Sequence, residues 1–347
     1  MIKILCIGPL WRGSNAGALF RALSRCGHFT EVVDEFYHLP LRPRQFITRL
    51  GGKLLRPWYT QDFNQAILSQ AHKFQPDLCL VYKGAFVQPN TLEALRNRNI
   101  SLANFYPDVS FHTHGSLLRK TLPLYDFVFT TKTFGLADME KQLGITRSGF
   151  IPHGFDPEIH RPIPAGAIPK DFFCDVSFIG TWSLKKETLL AEVAQALPEI
   201  NIKIWGSQWE KASNRILAPH IIGTEVSGDL YAAAISASKI NLGLLSEQVK
   251  GASSGDLITS RTFHIPGSGG FLLHERNEES IQYFEERREA VFFRDAGELV
   301  EKIKYYLEND SERVQIKRAG RVRAQKDHSL DRRAEQLIEI LKDEAII

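Results

Sequence analysis

Apolar runs of strand length recur along the chain, each followed by a glycine-containing or polar break and then by residues at helical spacing. The first, Ile2-Lys-Ile-Leu-Cys-Ile7, reads as a buried strand leading into a loop from Gly8 to Gly17 and a helix through residues 18–23. Strands are predicted again at Thr30-Glu-Val-Val33, Pro76 to Tyr82, Ile100 to Tyr106 and Tyr125 to Thr131, with helices near 62–73, 91–98 and 136–143. Strands alternating with helices call for a parallel sheet covered on both faces, a Rossmann-like domain.

The alternation lapses from Ile151 to Lys170, where Pro152, Gly154, Pro157, Pro162, Pro164, Gly166 and Pro169 leave no room for a regular element. It then restarts: strands at 175–179, 202–205, 240–244 and 270–273, and helices at 186–197, 228–238, 257–264 and 298–307. The expected organisation is therefore α/β, with a first Rossmann-like domain at 1–155, a proline-rich hinge at 156–170 and a second Rossmann-like domain at 171–328. A final helix at 329–347, with Leu330, Ala334, Leu337, Ile338 and Leu341 at helical spacing, is expected to pack back on the first domain. Ligands of open parallel sheets bind at the carboxyl ends of the strands, so two such sheets would face one another across a cleft.

Composition narrows the class. At 347 residues the chain is too long for one ordinary core, and 43% hydrophobic with 24% charged residues is a globular balance. The apolar runs are far shorter than a membrane span, and the amino terminus lacks the apolar core of a secretory signal, so a cytoplasmic location is expected. Cys6, Cys26, Cys79 and Cys174 show no paired spacing and read as buried thiols. A net charge of +3 does not argue for nucleic acid. One local bias stands out: Arg42, Arg44, Arg49, Lys53 and Arg56 interleave with apolar residues, a pattern that suits either a solvated helix face or peripheral contact with anionic lipid or acceptor.

Several chemistries are excluded by motif. Gly8, Gly13 and Gly17 have the wrong spacing for a dinucleotide fingerprint, although Asp34 ends the second strand, so an NAD-dependent oxidoreductase is a weak alternative. Neither a P-loop nor a Gly-x-Ser-x-Gly elbow occurs. The loop around Gly13 is instead expected to leave space beside a helix start for an acceptor or a sugar.

The order of the remaining motifs carries a resemblance. Phe178-Ile-Gly-Thr-Trp182, Ile240-Asn-Leu242, Ser260-Arg-Thr-Phe263, the glycine turn from Pro266 to Glu275, Val291-Phe-Phe-Arg-Asp295 and Arg332 lie in the second half. Pro76-Asp77, Asn104 to Asp108, Tyr125-Asp126 and Ile151 to Pro157 lie in the first. Together they resemble the CgeB/YkvP-like glycosyltransferases, relatives of the GT-B glycosyltransferase family 4, over nearly the whole chain. The resemblance implies GT-B architecture and sugar transfer from a nucleoside-diphosphate sugar to a glycan, protein or small-molecule acceptor. It also implies a donor that is substrate, with no tightly bound cofactor or metal, and a retaining outcome.

Under that resemblance the departing diphosphate needs cations, and the candidates are Lys185 and Lys186, after Gly180, and above all Arg261. Gly269 and Gly270 become the floor of the donor pocket. Two glutamates eight positions apart are usual in family 4; their positions hold Asp256 and His264 here, with Glu275 as a substitute acceptor for the ribose. The first domain should supply a general base or sugar-orienting group, for which Asp108, His112 and His114 are best placed at a strand end. His112 and His114 alternate, yet no third ligand supports a metal. A catalytically silent nucleotide- or sugar-binding protein is the other alternative, because histidine at 264 is a different group from a carboxylate.

Overall fold

The computed structural model describes residues 1–38 and 46–347 and divides into two compact units. Arg42 and Arg44 of the basic stretch lie outside the described residues.

The first unit comprises residues 1–152, 249–254 and 331–347. Its strands are β1 (Lys3–Gly8), β2 (Phe29–Asp34), β3 (Leu78–Tyr82), β4 (Ser101–Tyr106), β5 (Phe127–Thr130) and β6 (Ser148–Phe150). They pair in parallel in the order β2-β1-β3-β4-β5-β6. The chain therefore reverses its direction of winding between β1 and β3. Helices α1 (Asn15–Arg25), α2 (Glu35–His38), α3 (Phe46–Phe74), α4 (Pro89–Arg96), α5 (Ser116–Thr121) and α6 (Thr133–Leu143) make the crossovers. Helix α1 starts where Ser14 Oγ accepts from Gly17 N at 2.9 Å, and α6 stops at Gly144, whose φ of 69° is left-handed. Leu5, Ile7, Phe63, Val81, Leu102 and Val128 form the centre of the core, each worth roughly 1.5–3 kcal/mol on burial.

Helix α3 is much longer than the expected 62–73 segment and runs through Pro57. Proline inside a helix removes one donor but leaves the rest of the ladder, and here the following turns are anchored by buried Thr60, Phe63 and Asn64.

The second unit comprises residues 153–248 and 255–330. Strands β7 (Cys174–Ile179), β8 (Ile202–Trp205), β9 (Ser238–Gly243), β10 (Leu272–Glu275) and β11 (Val291–Phe293) form a second all-parallel sheet, ordered β11-β10-β9-β7-β8. Its winding reverses between β7 and β9. Helices α7 (Leu184–Ala196), α8 (Gly228–Ala237), α9 (Ser260–Gly267), α10 (Ala296–Glu308) and α11 (Asp310–Asp327) accompany it. Val176, Phe178, Ile204, Leu242, Phe271 and Leu273 centre this core. Helix α9 starts three residues later than the pattern suggests, because Thr259 N donates to Thr262 Oγ1 at 3.1 Å and fixes the first turn there. Strand β10 is likewise displaced to the segment that pairs with Asn241–Gly243.

The proline-rich stretch holds only short 3-10 turns at Ala165–Ala167 and Lys170–Phe172, and Phe155 bridges to Ser329 within the second unit. Residues 331–347, most of helix α12 (Leu330–Asp343), belong to the first unit. Arg25 pairs with Asp331 at 2.6 Å, and Ser101 Oγ donates to the Ile346 carbonyl at 2.6 Å. No helix among the described residues is long and apolar enough to cross a membrane.

Candidate functional site

In the second unit the carboxyl ends of β7, β9 and β10 bring together most of the residues singled out by sequence. Gly180 follows β7, and a Cβ there would sit 2.8 Å from Arg261 Nη1 and 2.8 Å from the Phe178 ring. Its smallness is what admits the guanidinium. Arg261 lies over the Phe178 ring at 5.3 Å, with Nη2 donating to the Leu244 carbonyl at 2.7 Å and Nη1 to Ile179 at 3.4 Å.

Two lysines stand beside it at the start of α7. Lys186 is buried, and its Nζ donates to the Thr181 carbonyl at 3.2 Å and to Ser246 Oγ at 3.1 Å. Burial, then the Arg261 charge, lowers its pKa to about 8, against the opposing pull of Glu247, Asp256 and Glu275. Lys185 pairs with Glu275, whose other oxygen accepts from Leu245 N at 2.6 Å. Glu247 occupies the helix start itself, accepting from Lys185 N at 3.0 Å, where a carboxylate complements the helix dipole. Three cations and three carboxylates thus share the edge at which the winding of the sheet reverses, the place where open α/β sheets take their ligands.

His264 faces elsewhere. Its ring stacks on His160 with centroids 3.8 Å apart, and Tyr231 closes on both edge-on. Burial, and then the neighbouring His160, holds its pKa well below the usual imidazole value, so the ring is neutral. His160 accepts from Asp156 N at Nδ1, 2.9 Å, and burial lowers its pKa to about 3. The glycine turn is also filled by protein. A Cβ on Gly267 would meet Phe155 at 2.5 Å, one on Gly269 would meet Pro162 at 3.0 Å, and one on Gly270 would meet Ile235 at 2.5 Å. The clearance these glycines provide is taken up by side chains of the same unit.

In the first unit the strand-end residues divide. Asp108, just beyond β4, pairs with Lys83 Nζ at 2.8 Å and His114 Nε2 at 2.9 Å. Burial alone would raise the Asp108 pKa, but the His114 hydrogen bond and the Lys83 charge hold it well below the carboxylate range. His112 is turned away: its Nε2 meets Gln142 Oε1 at 2.8 Å, and it packs where a Cβ on Gly251 would come within 2.4 Å of its ring. Gly13 has a φ of 94° in the loop after β1, a conformation that favours glycine. Of the basic stretch, Arg49 and Lys53 are placed on α3, and Arg56 lies over the Phe86 ring at 5.1 Å. No cluster of three metal-ligating side chains occurs among the described residues.

Comparison with known proteins decides the architecture. Residues 185–339 match the family of glycosyl transferase-like domains, and no curated protein matches the chain by sequence. Sucrose-phosphate synthase from Thermosynechococcus elongatus superposes with a TM-score of 0.66 at 14% identity, covering 99% of both chains. HepE from Anabaena, solved with UDP and glucose, gives 0.65 at 14% identity over 99% of this chain and 100% of its own. A glycosyltransferase from Rickettsia africae gives 0.64 at 13% identity over 99% and 98%. The chain has the GT-B fold, and its residues 185–339 are similar to the glycosyl transferase-like family.

Within this GT-B chain, sequence reasoning missed Lys83, Glu247 and His274. A cation directly after an apolar strand and before Gly84 was a usable signal for Lys83. Glu247 had none, since its partner is a backbone amide 62 residues away. His274 lies inside the glycine-rich stretch. There Nε2 meets Thr262 Oγ1 at 2.9 Å and Nδ1 meets the Glu275 carbonyl at 2.6 Å, which ties α9 to the end of β10 beneath Glu275. Gly243 makes that possible, because a Cβ there would sit 2.4 Å from the imidazole.

Proposed function

We propose that this chain is a glycosyltransferase of the CgeB/YkvP-like kind, moving a sugar from a nucleoside-diphosphate donor bound by the second unit to an acceptor hydroxyl bound by the first. The observation that carries the reading is the convergence of Lys185, Lys186 and Arg261 on the reversal edge of the second sheet. When the anomeric C–O bond breaks, negative charge grows on the leaving diphosphate, and fixed cations in a partly desolvated site stabilise it. Those cations supply what a metal would otherwise supply, so the transfer is metal-independent. Each already holds a carbonyl, hydroxyl or carboxylate partner, so the phosphates bind by exchange at preoriented groups. Asp256 accepts sugar hydroxyls, and retention of configuration is the expected outcome. Uridine diphosphate is the favoured leaving group, by likeness to the HepE structure solved with UDP and glucose.

Within the first unit, Asp108 and His114 orient the acceptor, while His112 holds the 249–254 segment through Gln142, which also donates to the Gly251 carbonyl at 2.9 Å. The test is release of UDP from UDP-sugars by purified protein with chelator present and a carbohydrate extract as acceptor source. Activity that persists in chelator supports the reading; no diphosphate released from any donor contradicts it. A silent nucleotide-binding protein is the second reading, favoured by the neutral His264 buried against His160 and by the engagement of both Glu275 oxygens.

A further inference from the structure

The first sheet presents at its own reversal edge a surface that the donor chemistry does not use. Asp34, paired in register with Gly8, accepts from Leu10 N at 3.0 Å and from Phe36 N at 2.9 Å through one oxygen, binding the loop after β1 to the start of α2. Ser14 stiffens the same loop, with N donating to Trp11 O at 2.9 Å and Oγ to Pro9 O at 2.7 Å. The two joined segments expose Leu10 (37%), Trp11 (42%), Phe36 (42%) and Tyr37 (84%). Large aromatic side chains left in water on a fixed backbone mark a recognition surface.

Polar groups adjoin it. Glu35 lies between the exposed rings in sequence and at the end of β2, and its carboxylate has no hydrogen-bond or ion-pair partner among the described residues. Burial and the Asp34 charge raise its pKa to about 7 against the pull of Lys83, so the group is both donor and acceptor near neutrality. Lys83, the residue directly after β3, is held at a φ of 66°, strained for a lysine, with Nζ on Asp108. The Tyr106 hydroxyl, two residues before Asp108, is buried with no hydrogen-bond partner among the described residues.

We infer that Trp11 and Glu35, with Tyr37, Lys83 and Asp108, form the binding site for the acceptor, and that the acceptor is a neutral carbohydrate. A sugar ring has an apolar face that covers an indole and a rim of hydroxyls that takes carboxylate and ammonium partners; a lipid chain leaves Glu35 unanswered, and an anionic headgroup is disfavoured by the adjacent carboxylates of Asp34 and Glu35. The inference rests on the glycosyl-transfer reading for the word acceptor, but the carbohydrate site stands on the first unit alone.

The test applies the full chain to an array of neutral oligosaccharides, with phosphatidylserine vesicles in a parallel arm. Bound oligosaccharides are then titrated against wild type, Trp11→Ala, Trp11→Phe and Glu35→Gln. At least one oligosaccharide is expected to bind. Trp11→Ala should weaken it about tenfold or more with unchanged thermal midpoint, Trp11→Phe should restore most of the affinity, and Glu35→Gln should weaken it several-fold. No oligosaccharide bound, binding indifferent to Trp11→Ala and Glu35→Gln, or vesicle binding abolished by Trp11→Ala would each overturn the site. UDP-sugar binding is read separately. Oligosaccharide bound without nucleotide removes the glycosyl-transfer reading and leaves the site standing, whereas nucleotide bound without oligosaccharide does the reverse.

Discussion

The two sheets end differently although both are parallel and both reverse direction at one strand. The second sheet ends in a cradle of glycines and partly buried cations: Gly180, Gly206 and Gly243 let Arg261, the Trp205–Gly206 turn and His274 close in, and polar groups answer one another through backbone carbonyls. The first ends in side chains that stand out from the backbone, with exposed Trp11 and Tyr37 and a half-exposed Lys83–Asp108 pair. A fixed anionic group such as a diphosphate calls for the first kind of edge, because preoriented donors need close backbone approach. A surface that reads the outline of a ring calls for the second.

Acid should separate the two units most strongly. All the buried histidines among the described residues, His160, His264, His274 and His328, belong to the second unit. His160 and His274 have folded pKa values of about 3 and about 4, both lowered first of all by burial. The unfolded chain, with imidazoles near 6.5, binds more protons in between, so stability is complete above that value and falls as pH drops through the interval. The expected loss by pH 5 is on the order of 2 kcal/mol for each of the two, read as an earlier urea midpoint for second-unit probes such as Trp205 and Trp209 than for Trp11. Coincident loss at both units would erase the contrast.

Backbone closeness comes next. Gly206→Ala should cost on the order of 3 kcal/mol, because φ is 135° and the new Cβ would sit 2.1 Å from the Gly180 carbonyl oxygen. Gly115→Ala in the first unit meets nothing within 4 Å, so only its φ of 90° opposes it. Equal thermal shifts for the two variants would show that the second edge is not the tighter.

Arg261→Met should weaken UDP binding about 30- to 100-fold by calorimetry, the worth of a charge-assisted contact in a partly buried site. Least in size is the pH dependence of that affinity. Lys186 loses its proton as pH rises through about 8, so UDP binding should take up a proton there and weaken roughly tenfold by pH 9, and Lys186→Met should flatten the profile.

Which parts were legible in the sequence follows from range. The strands were, because Ile4-Leu-Cys-Ile7 or Val176 to Ile179 are short apolar runs whose burial on both faces needs no knowledge of distant partners. The glycine turn was legible as a need for clearance but not for whom, since Phe155 and Pro162 come to it from more than a hundred residues away. Lys185 and Glu275 were both singled out, yet their pairing across 90 residues was not. His112 and His114 look equivalent in sequence; one turn of 3-10 helix sends the first to Gln142 and the second to Asp108.

The central claim, that the second edge is built for a diphosphate, is tested most directly by titrating UDP and uridine into the wild-type chain in chelator. The account predicts that UDP binds at least about 100-fold more tightly than uridine, the difference being the contacts of Lys185, Lys186 and Arg261. Equal affinities, or UDP binding that appears only when a divalent cation is added, would contradict it.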